Sequence, residues 1–170
     1  MLELKELLDQ TLSIFRIQSV AELGDALMAC VRDRDTDKMA AFCDLVDWNL
    51  RVDWLQQIYQ YYLADRQEKK QDYTPASVAQ LMGQLAGDTE QIVDLCAGSG
   101  ALIIQKWSRT PNVQVTAIEL DESVIPFLLF NLAVRNIRAS VLRMDALTDD
   151  APRETWKIER GDKFGTVTCI

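Results

Sequence analysis

The sequence predicts an α/β fold, in which a partial three-layer α/β/α domain follows a small helical region. Three apolar, strand-like runs alternate with segments of helical periodicity, which is typical of successive β-α units in a parallel sheet. The runs lie at 91–93, 113–118 and 139–143. Upstream of them only helical patterns occur. We therefore expect a helical region at 1–70 and an α/β region at 71–170.

The first region carries the periodicity of three or four helices. Apolar residues recur at helical spacing in four stretches, 2–15, 19–32, 39–46 and 52–65. The second stretch opens with Ser19-Val20-Ala21-Glu22, which has the form of a capping box and predicts a helix from Ser19 to about Arg32. The last stretch is rich in aromatic residues, which usually form core or a protein interface.

The second region begins with a further helix. Thr74-Pro75 suits the N-cap and first position of a helix that runs to Leu85 and ends before Gly87-Asp88. Another helix is expected at 122–135, with Pro126 tolerated in its first turn.

The last residues alternate in polarity in two short segments, 155–160 and 165–170. They form either a β-hairpin or an irregular lead into a single parallel strand. A parallel fourth strand would give the sheet order 3-2-1-4. Val167, Cys169 and Ile170 would then lie at an exposed apolar edge, which a dimer could cover.

A turn of small residues, Asp94-Leu95-Cys96-Ala97-Gly98-Ser99-Gly100, follows the first strand. Glycine at 98 and 100 lets the backbone turn sharply and lets a ligand approach it closely. The helix that begins next offers unpaired N–H groups to polar or anionic groups. The segment therefore indicates a nucleotide-type site.

Each of the three strands leads to an acid, Asp94, Glu119 and Asp145. In nucleotide-binding β-α-β units, the acid after the second strand accepts hydrogen bonds from the ribose hydroxyls. The third acid, followed by Ala146 and Leu147, could bond to an adenine amino group and pack on its ring. The alternative is that all three acids are solvated charges at strand ends.

The residues after the glycines restrict the ligand. A dinucleotide site needs a small residue three positions after Gly100, but Ile103 stands there. The Gly-Lys-Ser/Thr of a phosphate-binding loop is absent as well. An adenosine without phosphate fits better, which points to S-adenosylmethionine.

Together these motifs resemble the class I S-adenosylmethionine-dependent methyltransferases, specifically the adenine-N6 DNA methylases that include modification subunits of type I restriction systems. The resemblance covers roughly residues 52–150. It rests on the turn at 94–100 and on Gln71-Asp72-Tyr73-Thr74-Pro75, which is similar to the family's (Phe/Tyr)-Thr-Pro segment. It implies a Rossmann-like domain that binds S-adenosylmethionine. The resemblance also implies a role for each site residue. The methionine end of the cofactor is covered by Tyr73, Thr74 and Pro75, and its amino-acid end is bound by Asp94, Ala97, Gly98, Ser99 and Gly100. The ribose is bound by Glu119, and the adenine by Asp145 and Ala146.

The sequence departs from the family in its catalytic motif, (Asp/Asn/Ser)-Pro-Pro-(Tyr/Phe/Trp), which binds the target amino group and stacks on the flipped base. No Pro-Pro pair exists, and the chain ends about where that motif should begin. We therefore assign no catalytic residue and expect a cofactor-binding protein that is inactive alone or needs a partner. The alternatives are a non-enzymatic module that senses cofactor or assembles with a larger subunit, and a small-molecule or protein methyltransferase whose partner supplies the acceptor site.

The composition restricts partners and location. A formal net charge of −8 disfavours direct DNA binding, since most of that affinity comes from Lys and Arg; the densest basic cluster, 66–70, is diluted by Glu68. DNA is expected only through a partner, either a larger methylase subunit or a second copy. The chain has no histidine and its cysteines lack metal-ligand spacing, so no metal is expected. No run approaches the ~20 apolar residues of a membrane span, and a cytoplasmic location is expected.

Overall fold

The computed structural model describes residues 3–64, 73–148 and 150–170. The helices are α1 (Leu4–Phe15), α2 (Leu23–Arg32), α3 (Thr36–Leu45), α4 (Trp54–Tyr62), α5 (Ala76–Leu85), α6 (Ala101–Trp107) and α7 (Ile125–Val134), with a 3-10 turn at Val20–Glu22. The strands are β1 (Gln91–Asp94), β2 (Gln114–Glu119), β3 (Arg138–Arg143), β4 (Glu154–Glu159) and β5 (Thr166–Cys169). Several expectations lie outside the described residues, namely those for Leu2, Asp65, the basic cluster 66–70, Gln71-Asp72 and the boundary after residue 70.

The α/β class is confirmed by a five-stranded sheet of order β1-β2-β3-β4-β5. β1, β2 and β3 are parallel, whereas β4 is antiparallel to β3 and β5 is antiparallel to β4. The end of the chain is therefore a hairpin, and the order 3-2-1-4 is wrong. The end of α7 holds the hairpin turn. The side chain of Asn136 forms two hydrogen bonds with the backbone of Gly161 (2.8 and 3.0 Å), and Gly165 N donates to Ala133 O (2.8 Å).

This strand order changes which apolar residues are exposed. Val167 faces the core and is buried, so the exposed edge expected there is wrong for Val167, although Cys169 and Ile170 are exposed. Within the described residues β1 and β5 are the two edge strands, and Val93 of β1 is 64% exposed. The preceding helix, α5, exposes a further apolar set, Val78, Leu81, Met82 and Leu85.

Helix α7 lies at the centre of the core. All ten of its residues are buried, as expected for a helix that is apolar on almost every side. It contacts β3 and β5 in the sheet, and it also contacts α2, α3 and α4. Its Phe130 ring meets Phe15 and Phe42 edge to face, with centroids 5.6 and 5.3 Å apart. Helix α7 therefore lies between the helical region and the sheet.

The helix starts follow local side-chain chemistry. The expected capping box is confirmed, because Ser19 Oγ accepts from Ala21 N (3.2 Å) and Ser19 N donates to Glu22 Oε1 (2.9 Å). Helix α5 begins one residue later than expected, since Pro75 rather than Thr74 is its N-cap and has an extended conformation. Helix α7 also begins later than 122, because the Asp121 carboxylate first forms a turn with Ser123.

Candidate functional site at the carboxyl ends of the parallel strands

A glycine loop, residues 95–100, connects β1 to α6. Gly98 and Gly100 both have positive φ, +54° and +97°, which L side chains rarely adopt. A Cβ on Gly100 would also lie 3.1 Å from Cδ1 of Leu128 in α7. The loop therefore needs glycine at 100 both for its backbone conformation and for its packing on α7.

The three acids expected at strand ends lie along one edge of the sheet. Asp94 is in register with Ala117 of β2, and Glu119 is in register with Arg143 of β3. Asp145 follows Arg143 by two residues. Because carboxyl ends of parallel strands share an edge, this register brings the first two acids close enough for the charge of Glu119 to raise the pKa of Asp94.

Glu119 holds the loop that follows β1. Its Oε2 accepts a hydrogen bond of 2.8 Å from Gly98 N. Its Oε1 accepts from the backbone N–H groups of Leu120 and Asp121, each at 2.8 Å. An ionised carboxylate has about four acceptor sites, so one remains for a ligand.

Asp94 carries an acceptor without a partner. Its Oδ1 accepts from Cys96 N at 3.3 Å, whereas Oδ2 is buried and has no hydrogen-bond partner among the residues that the structure describes. Burial raises the pKa of Asp94 and the nearby Glu119 adds to that rise, while the bond from Cys96 N opposes it. A buried, unsatisfied carboxylate oxygen is costly, and a cationic or donor group placed against it would remove that cost.

The third acid lies in a tight turn after β3. Asp145 Oδ1 accepts from Leu147 N at 2.9 Å, and both Asp145 and Ala146 are half-buried. Met144 N donates to Glu119 O at 3.1 Å, which ties this turn to the end of β2. Two apolar side chains nearby are exposed, Leu147 at 94% and Leu120 at 48%.

The Tyr73-Thr74-Pro75 segment covers the glycine loop. A Cβ on Gly98 would lie 3.7 Å from Cε1 of Tyr73, and the Tyr73 ring packs edge to face on Tyr59 at 5.8 Å. Burial raises the pKa of Tyr73, so its hydroxyl is neutral across the physiological range. A cavity of about 160 Å³ lies between this segment and the loop, lined by Gln56, Tyr73, Thr74, Cys96, Ala97, Gly98, Ser99, Ala101 and Leu102. Pro75 does not line it and serves as the N-cap of α5.

Ser99 does not turn its hydroxyl to this cavity. Its Oγ donates a hydrogen bond of 2.6 Å to Oδ2 of Asp53, which is the N-cap of α4. Asn131 Nδ2 donates both to Asp53 Oδ1 and to Ser99 O, each at 2.9 Å. The guanidinium of Arg135 donates to Asn131 Oδ1 (2.9 Å) and to the backbone carbonyls of Asn131, Leu50 and Val52.

We call Asp53, Asn131 and Arg135 the buried polar chain. All three side chains are buried. Burial raises the pKa of Asp53 against the opposing charge of Arg135, and burial lowers the pKa of Arg135 to about 10. Sequence analysis did not identify these residues. Two signals were available: Asp53 stands directly before a helical stretch, and Asn131 and Arg135 are spaced i,i+4 in an otherwise apolar run.

A second, larger cavity of about 600 Å³ lies between the helical region and the start of α7. Its lining combines apolar residues such as Met28 and Phe127 with the acids Asp25, Asp121, Glu122 and Glu154. None of the glycine-loop residues lines it. Gly98 lines the smaller cavity, whereas Gly100 and the three strand-end acids do not. We therefore place the candidate cofactor site at the glycine loop, which the smaller cavity adjoins, and at the strand-end acids beside it.

Neither a metal cluster nor a membrane helix is found in the part of the chain that the structure describes. No three Cys, Asp or Glu side chains lie together there in a way that could hold a metal ion. Among the same residues, no helix is long and apolar enough to cross a membrane.

Comparison with known proteins assigns the family. Residues 50–163 match the N-6 DNA methylase family, and the chain belongs to it. This range includes both glycines and all three strand-end acids. No curated protein matches the sequence.

A similar solved structure is the methyltransferase subunit of a type I restriction-modification system from Streptococcus thermophilus. It is 23% identical, with a TM-score of 0.44. The match covers 89% of this chain and 38% of the subunit. The chain thus spans well under half of the length of that protein.

Proposed function

We propose that this chain binds S-adenosylmethionine at the glycine loop and forms the cofactor half of an adenine-specific DNA methyltransferase. The observation that carries the proposal is the buried Oδ2 of Asp94, which has no partner among the described residues. S-adenosylmethionine carries an ammonium group and a sulfonium, either of which would favour an ionised carboxylate. N-6 DNA methylases as a family use this cofactor, and it would supply an activated methyl group.

Each end of the cofactor has a counterpart in the site. Asp94 would accept hydrogen bonds from the ammonium group, with the backbone of Ala97, Gly98 and Gly100 around the amino-acid end. Tyr73 and Thr74 would close the small cavity over it, and Pro75 would fix the start of α5 behind them. The one acceptor site that remains on Glu119 suits a ribose hydroxyl.

The adenine end has both polar and apolar counterparts. Asp145, with Ala146 beside it, would accept from the adenine amino group. The exposed side chains of Leu120 and Leu147 would pack on the two faces of the ring, and this contact would reduce their exposure.

Transfer of the methyl group to DNA requires residues from a partner in this proposal. No described residue beside the site offers the Pro-Pro-aromatic motif, and the net charge of −8 opposes direct contact with DNA. The partner would be a larger methylase subunit or a second copy of the chain. The exposed edge of β1 and the apolar face of α5 are the surfaces that such a partner would cover.

A second candidate function is a non-enzymatic module that senses the cofactor or assembles with a methylase. The same acidic surface and the same exposed β1 edge favour it. Such a module would bind the cofactor at the same site. It would differ from the first candidate only in that no methyl group is transferred to DNA after the partner is added. Reconstitution with a methylase subunit that contains the Pro-Pro-aromatic motif separates the two.

Calorimetric titration with S-adenosylhomocysteine tests the binding proposal. One site per chain, with micromolar affinity, is expected. Asp94→Ala should abolish the heat, whereas Asp88→Ala, at the turn before β1, should not change it. A folded protein that gives no heat at high micromolar concentration would exclude the proposed site.

A further inference from the structure

We infer that the buried polar chain Asp53–Asn131–Arg135 positions the glycine loop for its ligand and thereby couples the helical region to the cofactor site. The inference rests on the proposed function for the identity of the ligand. It makes Asp53 and Asn131 positioning residues, because neither contacts the cavity above the loop.

The glycine loop is held from two sides by different elements. On the side of the strand ends, Glu119 Oε2 accepts from Gly98 N. On the inner side, the buried polar chain holds the next residue, Ser99, through both its hydroxyl and its carbonyl oxygen. The peptide groups on both sides of the Gly98–Ser99 bond are thus held, Ala97–Gly98 through its N–H and Ser99–Gly100 through its carbonyl, which restricts the orientation of the loop N–H groups.

Asn131 connects the two charged side chains of the buried polar chain. Its amide nitrogen donates to the Asp53 carboxylate, while its amide oxygen accepts from the Arg135 guanidinium. The amide therefore lies between a negative and a positive group in the orientation that satisfies both. Hydrogen bonds to charged groups are stronger than neutral ones, and low dielectric strengthens them further.

The same chain fixes the helical region. Asp53 Oδ1 also accepts from Gln56 N at 2.9 Å, which caps α4, and Arg135 donates to the carbonyls of Leu50 and Val52 just before that helix. One carboxylate thus caps α4 with one oxygen and holds the loop with the other. Any shift of α4 changes the position of Ser99, and by reciprocity a ligand that fixes the loop stabilises the start of α4.

Two matched substitutions separate this positioning role from helix capping. Serine is about as good an N-cap as aspartate, but its side chain is shorter by one atom. Asp53→Ser should therefore retain the cap of α4 and lose the contact with Ser99. Asp35→Ser is the control, because Asp35 caps α3 in the same way, accepting from Lys38 N at 3.0 Å, and forms no hydrogen bond with the loop among the described residues.

The measurements are made on the 170-residue chain. Hydrogen exchange of the Gly98 and Gly100 amides reports the loop without ligand, and calorimetry reports affinity for S-adenosylhomocysteine. We expect Asp53→Ser to speed that exchange and to weaken binding, each by roughly tenfold, the scale of one lost charged hydrogen bond. Asp35→Ser should leave both values near those of the unmodified protein. Thermal unfolding checks that both variants are folded.

The outcomes distinguish the two proposals. Equal loop exchange and equal affinity in the two variants would overturn the positioning role. Wild-type protein that does not bind would overturn the proposed function, while the exchange result would still decide whether the chain holds the loop. If Asp53→Ser does not fold, Ser99→Ala removes only the hydroxyl donor and the same exchange measurement applies. Unchanged exchange in that variant would count against the inference.

Discussion

The N–H of Gly98 donates a hydrogen bond of 2.8 Å to Oε2 of Glu119, so the acid at the end of β2 fixes the loop at the end of β1. The two residues are 21 positions apart in the sequence. Parallel pairing of β1 and β2 brings them together, since Asp94 and Ala117 are in register. An acid in this position serves two purposes, because it shapes the loop and keeps acceptor capacity for a ligand.

Substitution of Glu119 tests that double role. Glu119→Ala should weaken binding of S-adenosylhomocysteine by about 1.5–3 kcal/mol, the usual loss for hydrogen bonds to a charged group. It should also speed exchange of the Gly98 amide, because that donor loses its acceptor. Glu90→Ala, an exposed acid at the opposite end of β1, is the control and should change neither value. Equal binding by the two variants would refute the ribose role.

Asp94 should lower the stability of the ligand-free protein and strengthen cofactor binding. Asp94→Asn should raise the free energy of unfolding of the ligand-free protein at pH 7, because it removes the charge of a half-buried carboxylate whose buried Oδ2 has no partner among the described residues. The same change should weaken cofactor binding by tenfold or more, roughly the value of a charge-assisted hydrogen bond. Urea unfolding and calorimetry on the two proteins measure both effects. A less stable Asp94→Asn variant would contradict the assignment.

The loss of stability caused by Asp94 in the ligand-free protein should depend on pH. The pKa of Asp94 is raised in the folded protein above its ordinary value of 3.8. The folded state then binds more protons than the unfolded state between the two pKa values, so stability from this group is present below about pH 3.8 and is lost as pH rises through the folded pKa. The difference in unfolding free energy between Asp94→Asn and the unmodified protein should grow across that window and stay constant above it.

Gly87 and Gly100, two of the three glycines with positive φ, separate the cost of the backbone conformation from the cost of packing on α7. Gly87→Ala should cost about 1–2 kcal/mol, since φ is +63° and a Cβ would meet nothing within 4 Å. Gly100→Ala should cost about 2–4 kcal/mol, because the Cβ would also press on Leu128 at 3.1 Å. Urea unfolding measures both. Equal costs would indicate that α7 can move away from the loop.

Methyl transfer by the isolated chain should stay at background. Radiolabelled S-adenosylmethionine and unmethylated genomic DNA at low salt provide the assay. The physical reason is the absence of an acceptor motif beside the site and a net charge of −8 facing a polyanion. Transfer that disappears with Asp94→Ala would show an acceptor site in the chain itself.

Sequence patterns predicted the parts of the fold that depend on neighbouring residues. The capping box at Ser19 and the strand–turn–helix around the glycines both follow from local spacing, and the structure confirms them. The start of α5 shifted by one residue, because Thr74-Pro75 fits two positions of a helix start equally well.

Long-range contacts account for what sequence analysis did not reach. The direction of the last strand depends on Asn136 and Ala133, which hold the hairpin turn from the end of α7. The contact between Asp53 and Ser99 spans 46 residues and depends on how α4 docks. Single polar residues in apolar helices, such as Asn131, indicate that a partner exists but not which residue it is.

The burial of α7 on every side has a consequence for dividing this protein. The helix belongs in sequence to the α/β region, yet α2, α3 and α4 shield one of its flanks from water. A fragment that starts after the helical region would lose the rings of Phe15, Phe42 and Tyr59 that pack on Phe130 and Phe127, and we expect such a fragment to aggregate. We therefore expect the N-terminal helices to belong to the smallest unit of this chain that folds.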